Sequence, residues 1–522
     1  MTAKGTIAAG HPETVGAAAA ILDDGGNAFD AVLAAIFAAC VVEPVLASLG
    51  GGGFLVARPV GDGAREPVLY DFFTQTPKRR PPAGNVDFYP IDADFGTVTQ
   101  EFHIGMGSIA TPGTVKGLFR VHEELCTLPM SRIVEPAVRL GRRGFTVNRL
   151  QAYLFGVVGP IYMSSARSRE IFASEGDPDN LRHEGERMAN PAFADALEAL
   201  AREGEDLFYR GEIAARIAED CRTGGGTLAA DDLAGYRVER RRPLGVDYRG
   251  TRLHTNPPPS TGGILIAFAL ELLKEVQIGA LRFGSAEHLE RLAQAMALTN
   301  KARVESGLHE ADEDGARETL LDPGFLAAYR AEILGRPRAS RGTTHVSVID
   351  AAGNAAALTL SNGEGCGYIV PDTGIMLNNM LGEEDIHPLG FHRWPTDARI
   401  CSMMAPTLAV EADGRVTALG SGGSNRLRTA ILQVLVNLLD FGLGVADAVE
   451  APRIHIEGGR LSTEPGFDER ALEPLIAGFE ETQLWEEKNL FFGGVHAARF
   501  DARTEAFDGG GDPRRGGATR TV

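Results

Sequence analysis

Between Thr343 and Ser361 the chain spells out a β-hairpin. Residues 343–349 and 355–361 alternate as strands, and Asp350-Ala-Ala-Gly353-Asn354 between them is a turn. A hairpin commits the surrounding fold to antiparallel sheet. The turn is centred on Ala352, so Thr343 and Ser361 are equally far from it and face each other in a regular ladder. Directly opposed residues have Cβ atoms about 4.5–5.5 Å apart. Two hydroxyls are therefore expected to meet at one strand end. The preceding stretch, Gly335-Arg-Pro-Arg-Ala-Ser-Arg-Gly342, is polar, basic and flanked by helix breakers, and reads as an exposed loop.

A second informative place lies downstream. Residues 416–419 read as a strand followed by Gly420-Ser421-Gly422-Gly423-Ser424-Asn425. A helix then runs to about Phe441, with apolar residues at Leu427, Ile431, Val434, Leu435 and Leu438 and Gly442 as its stop. Backbone N–H groups between a strand and a helix N-terminus can hold an anion. Taken alone, a tight turn explains these glycines as well. Beside a nucleophile they could serve as an oxyanion hole.

Elsewhere, residues 13–24 and 28–42 are expected as helices, the second apolar on almost every side and so buried. Helical periodicity recurs over 115–145, 190–222 and 285–306. Residues 54–57 after Gly50–Gly53, and residues 243–256 before Pro257-Pro258-Pro259, read as strands. This mixture predicts a layered α/β protein with antiparallel sheet and no boundary between domains.

Several function classes are disfavoured. Lys+Arg is 51 and Asp+Glu is 70, so the net charge is −19, which argues against nucleic acid and anionic membranes as partners. The five cysteines are scattered with no CxxC, and the 12 histidines form no HExxH, so no metal is expected. Gly105-Met-Gly107-Ser-Ile-Ala110 resembles a dinucleotide fingerprint, but Pro112 interrupts it and no βαβ unit surrounds it. No GxxxxGK[ST] and no GxSxG occur, and no cofactor is expected. With no signal-like segment and no long apolar run, the expected location is cytoplasmic, or periplasmic if a leader was removed.

Several motifs, in order along nearly the whole chain, resemble the γ-glutamyltransferase (glutathione hydrolase) family of N-terminal-nucleophile hydrolases. They are Gly25-Gly-Asn-Ala-Phe-Asp-Ala31, Pro257-Pro-Pro-Ser-Thr-Gly-Gly263, Thr343-Thr-His-Val-Ser-Val-Ile-Asp350, Leu377-Asn378-Asn379, Ala405-Pro406-Thr407, Gly420-Ser-Gly-Gly-Ser-Asn-Arg426 and Ala451-Pro-Arg-Ile-His455. The resemblance implies an αββα sandwich: two stacked, mostly antiparallel sheets between helical layers. It also implies a zymogen that cuts itself between Gly342 and Thr343. The large portion (1–342) and the small portion (343–522) would stay together as one globular domain. Thr343 would be the nucleophile, Gly422 and Gly423 the oxyanion glycines, and Ser361 or its neighbour Asn362 would stand near the family's second hydroxyl. The partners would be a γ-glutamyl or other small amide and water or an amine acceptor.

The substrate pocket departs from the family pattern. Phe73 in Asp71-Phe72-Phe73 stands where the family has an arginine for the substrate carboxylate, and a ring cannot replace a bidentate clamp. Met380 stands in Asn378-Asn379-Met380-Leu381-Gly382-Glu383 where a polar residue is usual, with Glu383 left as the second acid. Ser402-Met403-Met404 has one hydroxyl fewer than the family's Ser-Ser-Met. Lys78, Arg79 or Arg80 could supply another cation. Two alternatives stay open: an amidase or acylase with a more apolar pocket lined by Phe73, Met380 and Met403, and an uncleaved, inactive binding protein.

Overall fold

A strand ladder centred on the hairpin organises the molecule. The computed structural model describes all residues except 1–2, 62–65, 95–98, 307–319, 323–324, 327–342, 388–389, 424–425 and 458. The loop expected over 335–342, with Gly342, lies outside the described residues. Thr344–Asp350 pairs with Ala355–Ser361, Thr344 opposite Leu360 and Ile349 opposite Ala355. Gly353, at φ 83°, closes the turn with its N–H on Asp350 O at 3.0 Å.

The hairpin forms the middle of a seven-stranded sheet. Its order is Ala518–Thr521, Gly5–Ala9, Thr344–Asp350, Ala355–Ser361, Gly52–Arg58, Val68–Phe72 and Glu239–Arg241. A six-stranded sheet runs Ala506–Gly510, Gly494–Asp501, Arg415–Gly422, Thr407–Glu411, Thr251–Thr255 and Leu244–Tyr248. Every pairing in both sheets is antiparallel.

Side-chain alternation assigns the layers. Val346, Val348, Leu358 and Leu360 join the apolar cluster that holds helix Ala28–Val42. Ile349, Ala355 and Ala357 join the other cluster, with helices Thr261–Leu273 and Arg426–Leu439. The layer order is therefore helix, sheet, sheet, helix. Helix Ala28–Val42 is buried along its whole length, as its composition predicts, and Asn27 with Asp30 forms a capping box at its start.

Three sequence expectations need correction, one being the periodicity over 190–222, which belongs to three helices, Pro191–Glu203, Asp206–Tyr209 and Glu212–Gly224. Residues 243–256 are not one strand but two, turning at Arg249 (φ 50°) and Gly250 (φ 76°). The turn is only the Arg249-Gly250 pair, and the strand-forming residues on both sides of it read as one run. The periodicity over 115–145 belongs to two helices, Thr114–Leu125 and Met130–Arg143, because Pro129 starts a new one. The strand expected over 416–419 is longer, Arg415–Gly422. Among the described residues no helix is long and apolar enough to cross a membrane.

Polar groups join the two sheets. The buried His345 ring has Nδ1 at 2.8 Å from Thr359 Oγ1 and Nε2 at 2.9 Å from Ser347 Oγ, which donates to His496 O at 3.1 Å. Burial, and then the nearby His496, push the His345 pKa well below the usual histidine value, so the ring is neutral. Gly420 of the opposite sheet lies against it, where a Cβ would fall 2.4 Å from the ring. Near the C-terminus, the buried Asp512 accepts from Arg453 Nη2 at 2.7 Å, Val495 N at 2.8 Å and Arg514 Nη1 at 3.1 Å. Burial disfavours its charge, yet Arg453 and Arg514 outweigh that and hold its pKa at about 2.

Gly420→Ala should cost about 1–3 kcal/mol of stability in urea denaturation, because the methyl must displace the His345 ring. The lowered pKa of Asp512 stabilises the fold above the ordinary carboxylate range, and that contribution fades as pH falls from about 4 through about 2. Asp512→Asn should therefore be less stable at neutral pH and lose less stability over the same acid interval, as thermal unfolding at several pH values would show.

Candidate active site

Thr343 precedes the first residue of its strand, and continuing the register sets it opposite Ser361. It is 4% exposed. By alternation it faces the second sheet, as His345 does. The turn at Gly422 and Gly423 comes from that sheet. A Cβ on Gly422 would lie 1.9 Å from Thr343 O, so no other residue allows this approach. Gly423 has φ 120°, in the region that favours glycine.

Arg515 completes this contact. Its Nη1 donates to Thr343 O at 3.1 Å. Ideal Cβ atoms on Gly422, Gly423 and Gly494 would lie 3.0, 3.1 and 2.4 Å from Arg515 atoms, so the side chain fills the room these glycines leave. Burial lowers its pKa to about 10, with Glu364, Asp512 and Glu43 opposing, so it remains a cation near neutrality. The Pro513–Arg515 turn that presents it starts from Asp512.

The other side of the same chain segment is tied to Glu43, the C-cap of helix Ala28–Val42. Thr344 Oγ1 and Thr14 Oγ1 each donate to this carboxylate at 2.8 Å. Burial raises the Glu43 pKa, while the two hydroxyls and Arg515 oppose the rise. The Thr343–Thr344 peptide is thus gripped from both layers.

At the facing strand end, Ser361 Oγ accepts from Gly363 N at 3.1 Å. Asn362 is fully buried, and neither amide atom of its side chain has a hydrogen-bond partner among the described residues. Gly363 (φ 62°) packs on Asn379 and Glu383, whose Oδ1 and Oε1 would lie 2.1 and 2.4 Å from a Cβ there. The structure therefore gathers Thr343, Ser361, Asn362, Glu383, Gly422 and Gly423 around the ends of three strands and their loops.

The remaining predicted residues lie in adjoining walls. Ser402 O accepts from Thr261 N at 2.8 Å and from Ser260 Oγ at 2.8 Å, and Met403 Sδ lies 3.0 Å from Thr261 Oγ1. That segment is bound to the start of helix Thr261–Leu273. Phe73 is buried and stacks on Phe54, ring centroids 5.4 Å apart. Phe73, Met380 and Met403 belong to one apolar cluster.

The candidate replacement cations are engaged elsewhere. Lys78 Nζ donates to Asp231 O at 2.6 Å, Arg79 pairs with Asp231 at 2.9 Å, and Arg80 donates to Trp394 O at 3.1 Å. The cation at position 73 is Arg399, not singled out by sequence. It donates to Phe73 O and to Tyr236 Oη, and its Nε lies 3.3 Å from Asp71 Oδ1. Arg515 and Glu43 were also unforeseen as site residues. Only the Asp512-Pro-Arg-Arg-Gly-Gly517 charge cluster and the Glu43-Pro44 helix end hinted at them. Among the described residues no group of three or more His, Cys, Asp or Glu side chains could hold a metal ion.

Comparison with known proteins identifies the family. The model of the family described as gamma-glutamyltranspeptidase matches residues 14–522. The chain is similar to a glutathione hydrolase proenzyme of Escherichia coli (strain K12), at 32% identity over 89% of this chain and 83% of that one. It is 31% identical to the acylase ACY 1 proenzyme of Pseudomonas sp. (strain V22), covering 91% of this chain and 86% of that one. In fold it superposes on a cephalosporin acylase from Bacillus halodurans with a TM-score of 0.84, at 24% identity, over 99% of this chain and 96% of that one. By the match of the family model over nearly its whole length, the chain belongs to the gamma-glutamyltranspeptidase family, whose αββα sandwich it shares.

Proposed function

We propose that this chain is a self-cleaving N-terminal-threonine amidohydrolase and acyltransferase acting on a γ-glutamyl or related small amide. The observation that carries it is the double grip on Thr343: Gly422 and Arg515 close on its carbonyl, and Ser361 stands opposite it in the ladder. Breaking the Gly342–Thr343 bond would divide the chain into 342 and 522 − 342 = 180 residues. Strands from both portions alternate in the seven-stranded sheet, so they would remain one body.

The chemistry follows from the new terminus. A threonine hydroxyl is a weak nucleophile and needs a base. The freed α-amino group, with a reference pKa of about 7.7–8.0, takes the hydroxyl proton. Thr343 Oγ1 attacks the substrate carbonyl carbon, and the N–H groups of Gly422 and Gly423 hold the negative oxygen. Losing one such donor typically costs about 2.7–4 kcal/mol of barrier. The tetrahedral adduct expels the amine, which leaves with the proton. An acyl ester remains on Thr343, and water hydrolyses it or an amine acceptor carries the acyl group away. Asn362, whose buried amide is unsatisfied among the described residues, would bind substrate polar atoms beside Ser361.

The acylase reading has its own support. Phe73 is locked against Phe54, and Arg399 is occupied by the Phe73 carbonyl, Tyr236 and Asp71, which favours a less polar acyl group. Similarity to both a glutathione hydrolase and an acylase fits either specificity.

Wild-type protein should resolve into two bands on a denaturing gel. Thr343→Ala should stay whole, keep its thermal midpoint and lose about 10⁴-fold or more in turnover. An intact wild-type band after long incubation, with no amide turnover, would instead identify a binding protein. A γ-glutamyl anilide released faster than butyryl anilide supports the first specificity, and the reverse supports the acylase.

A further inference from the structure

Glu43 follows the last turn of the buried helix Ala28–Val42 and is 5% exposed. Its two oxygens serve two hydroxyls: Oε1 accepts from Thr14 Oγ1 and Oε2 from Thr344 Oγ1, each at 2.8 Å. Thr344 is the residue after the proposed nucleophile. A Cβ on Gly10 would lie 2.6 Å from Glu43 Oε2 and 3.3 Å from Thr344 Oγ1, so a glycine keeps room for this contact. Three segments far apart in sequence therefore meet at one carboxylate. Alternation puts the Thr344 side chain on the helix face of its strand and the Thr343 side chain on the face toward the second sheet. Glu43 thus acts on Thr343 through Thr344, not by touching its hydroxyl.

The titratable groups facing Glu43 are Arg515, Cys40 and His11. Arg515 opposes the burial that raises the Glu43 pKa. Burial, and then Glu43 itself, keep the Cys40 thiol protonated. Burial lowers the His11 pKa to about 4, so its ring is neutral near pH 7. His11 and Glu43 line a cavity of about 20 Å³, room for one water molecule. Arg515 is therefore the charge set against Glu43, and it donates to the Thr343 carbonyl. An ionised Glu43 accepts from both hydroxyls and balances that guanidinium. It also favours the ammonium that forms one residue away when the Thr343 amine takes the Oγ1 proton. Protonated, one of its oxygens becomes a donor and both effects weaken.

We propose that Glu43 is a positioning residue for the Thr343 nucleophile: as a carboxylate it holds the Thr344 hydroxyl, and through it keeps the terminal amine and hydroxyl of Thr343 in the geometry of proton transfer. The inference rests on the N-terminal-threonine function proposed above. It assigns the rate of that chemistry, not its substrate, to a residue from the helix layer.

Steady-state kinetics test it, with whichever of γ-glutamyl anilide and butyryl anilide the wild type releases faster and with kcat referred to cut chain counted on a denaturing gel. Thr344→Val keeps the shape and removes the hydroxyl. It should lower kcat about tenfold and leave KM within about twofold, and Thr344→Ser should restore most of kcat. Glu43→Gln should lower kcat about as much. The pH profile separates positioning from stability alone. In the wild type both the amine and Glu43 must be deprotonated, so log kcat falls with a slope approaching two at low pH. Glu43→Gln should leave a slope of one. Thr344→Val takes a donor from the carboxylate and should move the Glu43 limb to higher pH. Unchanged kcat in a folded, cut Thr344→Val or Glu43→Gln overturns the proposal, as does a wild-type slope of one. A Thr344→Val chain that folds but stays whole, while Thr344→Ser is cut, supports it, because the same hydroxyl attacks in self-cleavage. If Glu43→Gln does not fold, the two Thr344 variants and the wild-type profile decide. A wild type that is cut and active but indifferent to these variants keeps the proposed function and loses this inference; one that turns over no amide loses both.

Discussion

The contact between the Thr343 carbonyl and the Gly422–Arg515 wall is the point on which the site depends. It joins the end of a strand in one sheet to the end of a strand in the other. The glycine lets the two backbones meet, and the guanidinium fills the space beside them. A buried arginine is costly unless its charge is balanced. Glu364, Asp512 and Glu43 supply opposing charge around it. The Pro513–Arg515 turn, the end of an all-buried helix and the strand that Thr343 leads into are thereby coupled through one cation.

Rigidity at this point has a chemical reason. In the proposed mechanism a nucleophile activated by its own amine needs no neighbouring imidazole, but its backbone must be held still. Here the residue after it is fastened to Glu43 and the residue's own carbonyl to Arg515. The histidine two positions on serves the fold instead. Neutral and packed under Gly420, His345 links Thr359 and Ser347 between the sheets. In the Thr-Thr-His sequence the second hydroxyl anchors and the imidazole packs, which leaves the first for the chemistry proposed above.

The substrate side shows the opposite economy of charge. Where the family motif calls for a cation, this chain buries an aromatic ring, and the nearby Arg399 is consumed by backbone and Asp71. Beside Ser361, the buried amide of Asn362 stays unsatisfied among the described residues. The proposed cutting residues and the proposed substrate wall lie on separate elements, which fits the similarity to both a glutathione hydrolase and an acylase.

Local sequence determined whatever has a local cause. The hairpin and its register follow from alternation around a single turn, so the facing of Thr343 and Ser361 was legible, as was the buried helix Ala28–Val42 from its unbroken apolar run. The division of 243–256 into two strands was not, because its two-residue turn takes positive φ at Arg249, which residues other than glycine seldom adopt. Motif resemblance reached the glycines and the expected pocket. Only the tertiary structure decided which distant charges meet them: Arg515 is 172 residues from Thr343, Glu43 is 301 from Thr344, and Arg399 is 326 from Phe73. Such contacts have no periodicity to read, because burial and the need to balance charge select the partners after the sheets have stacked.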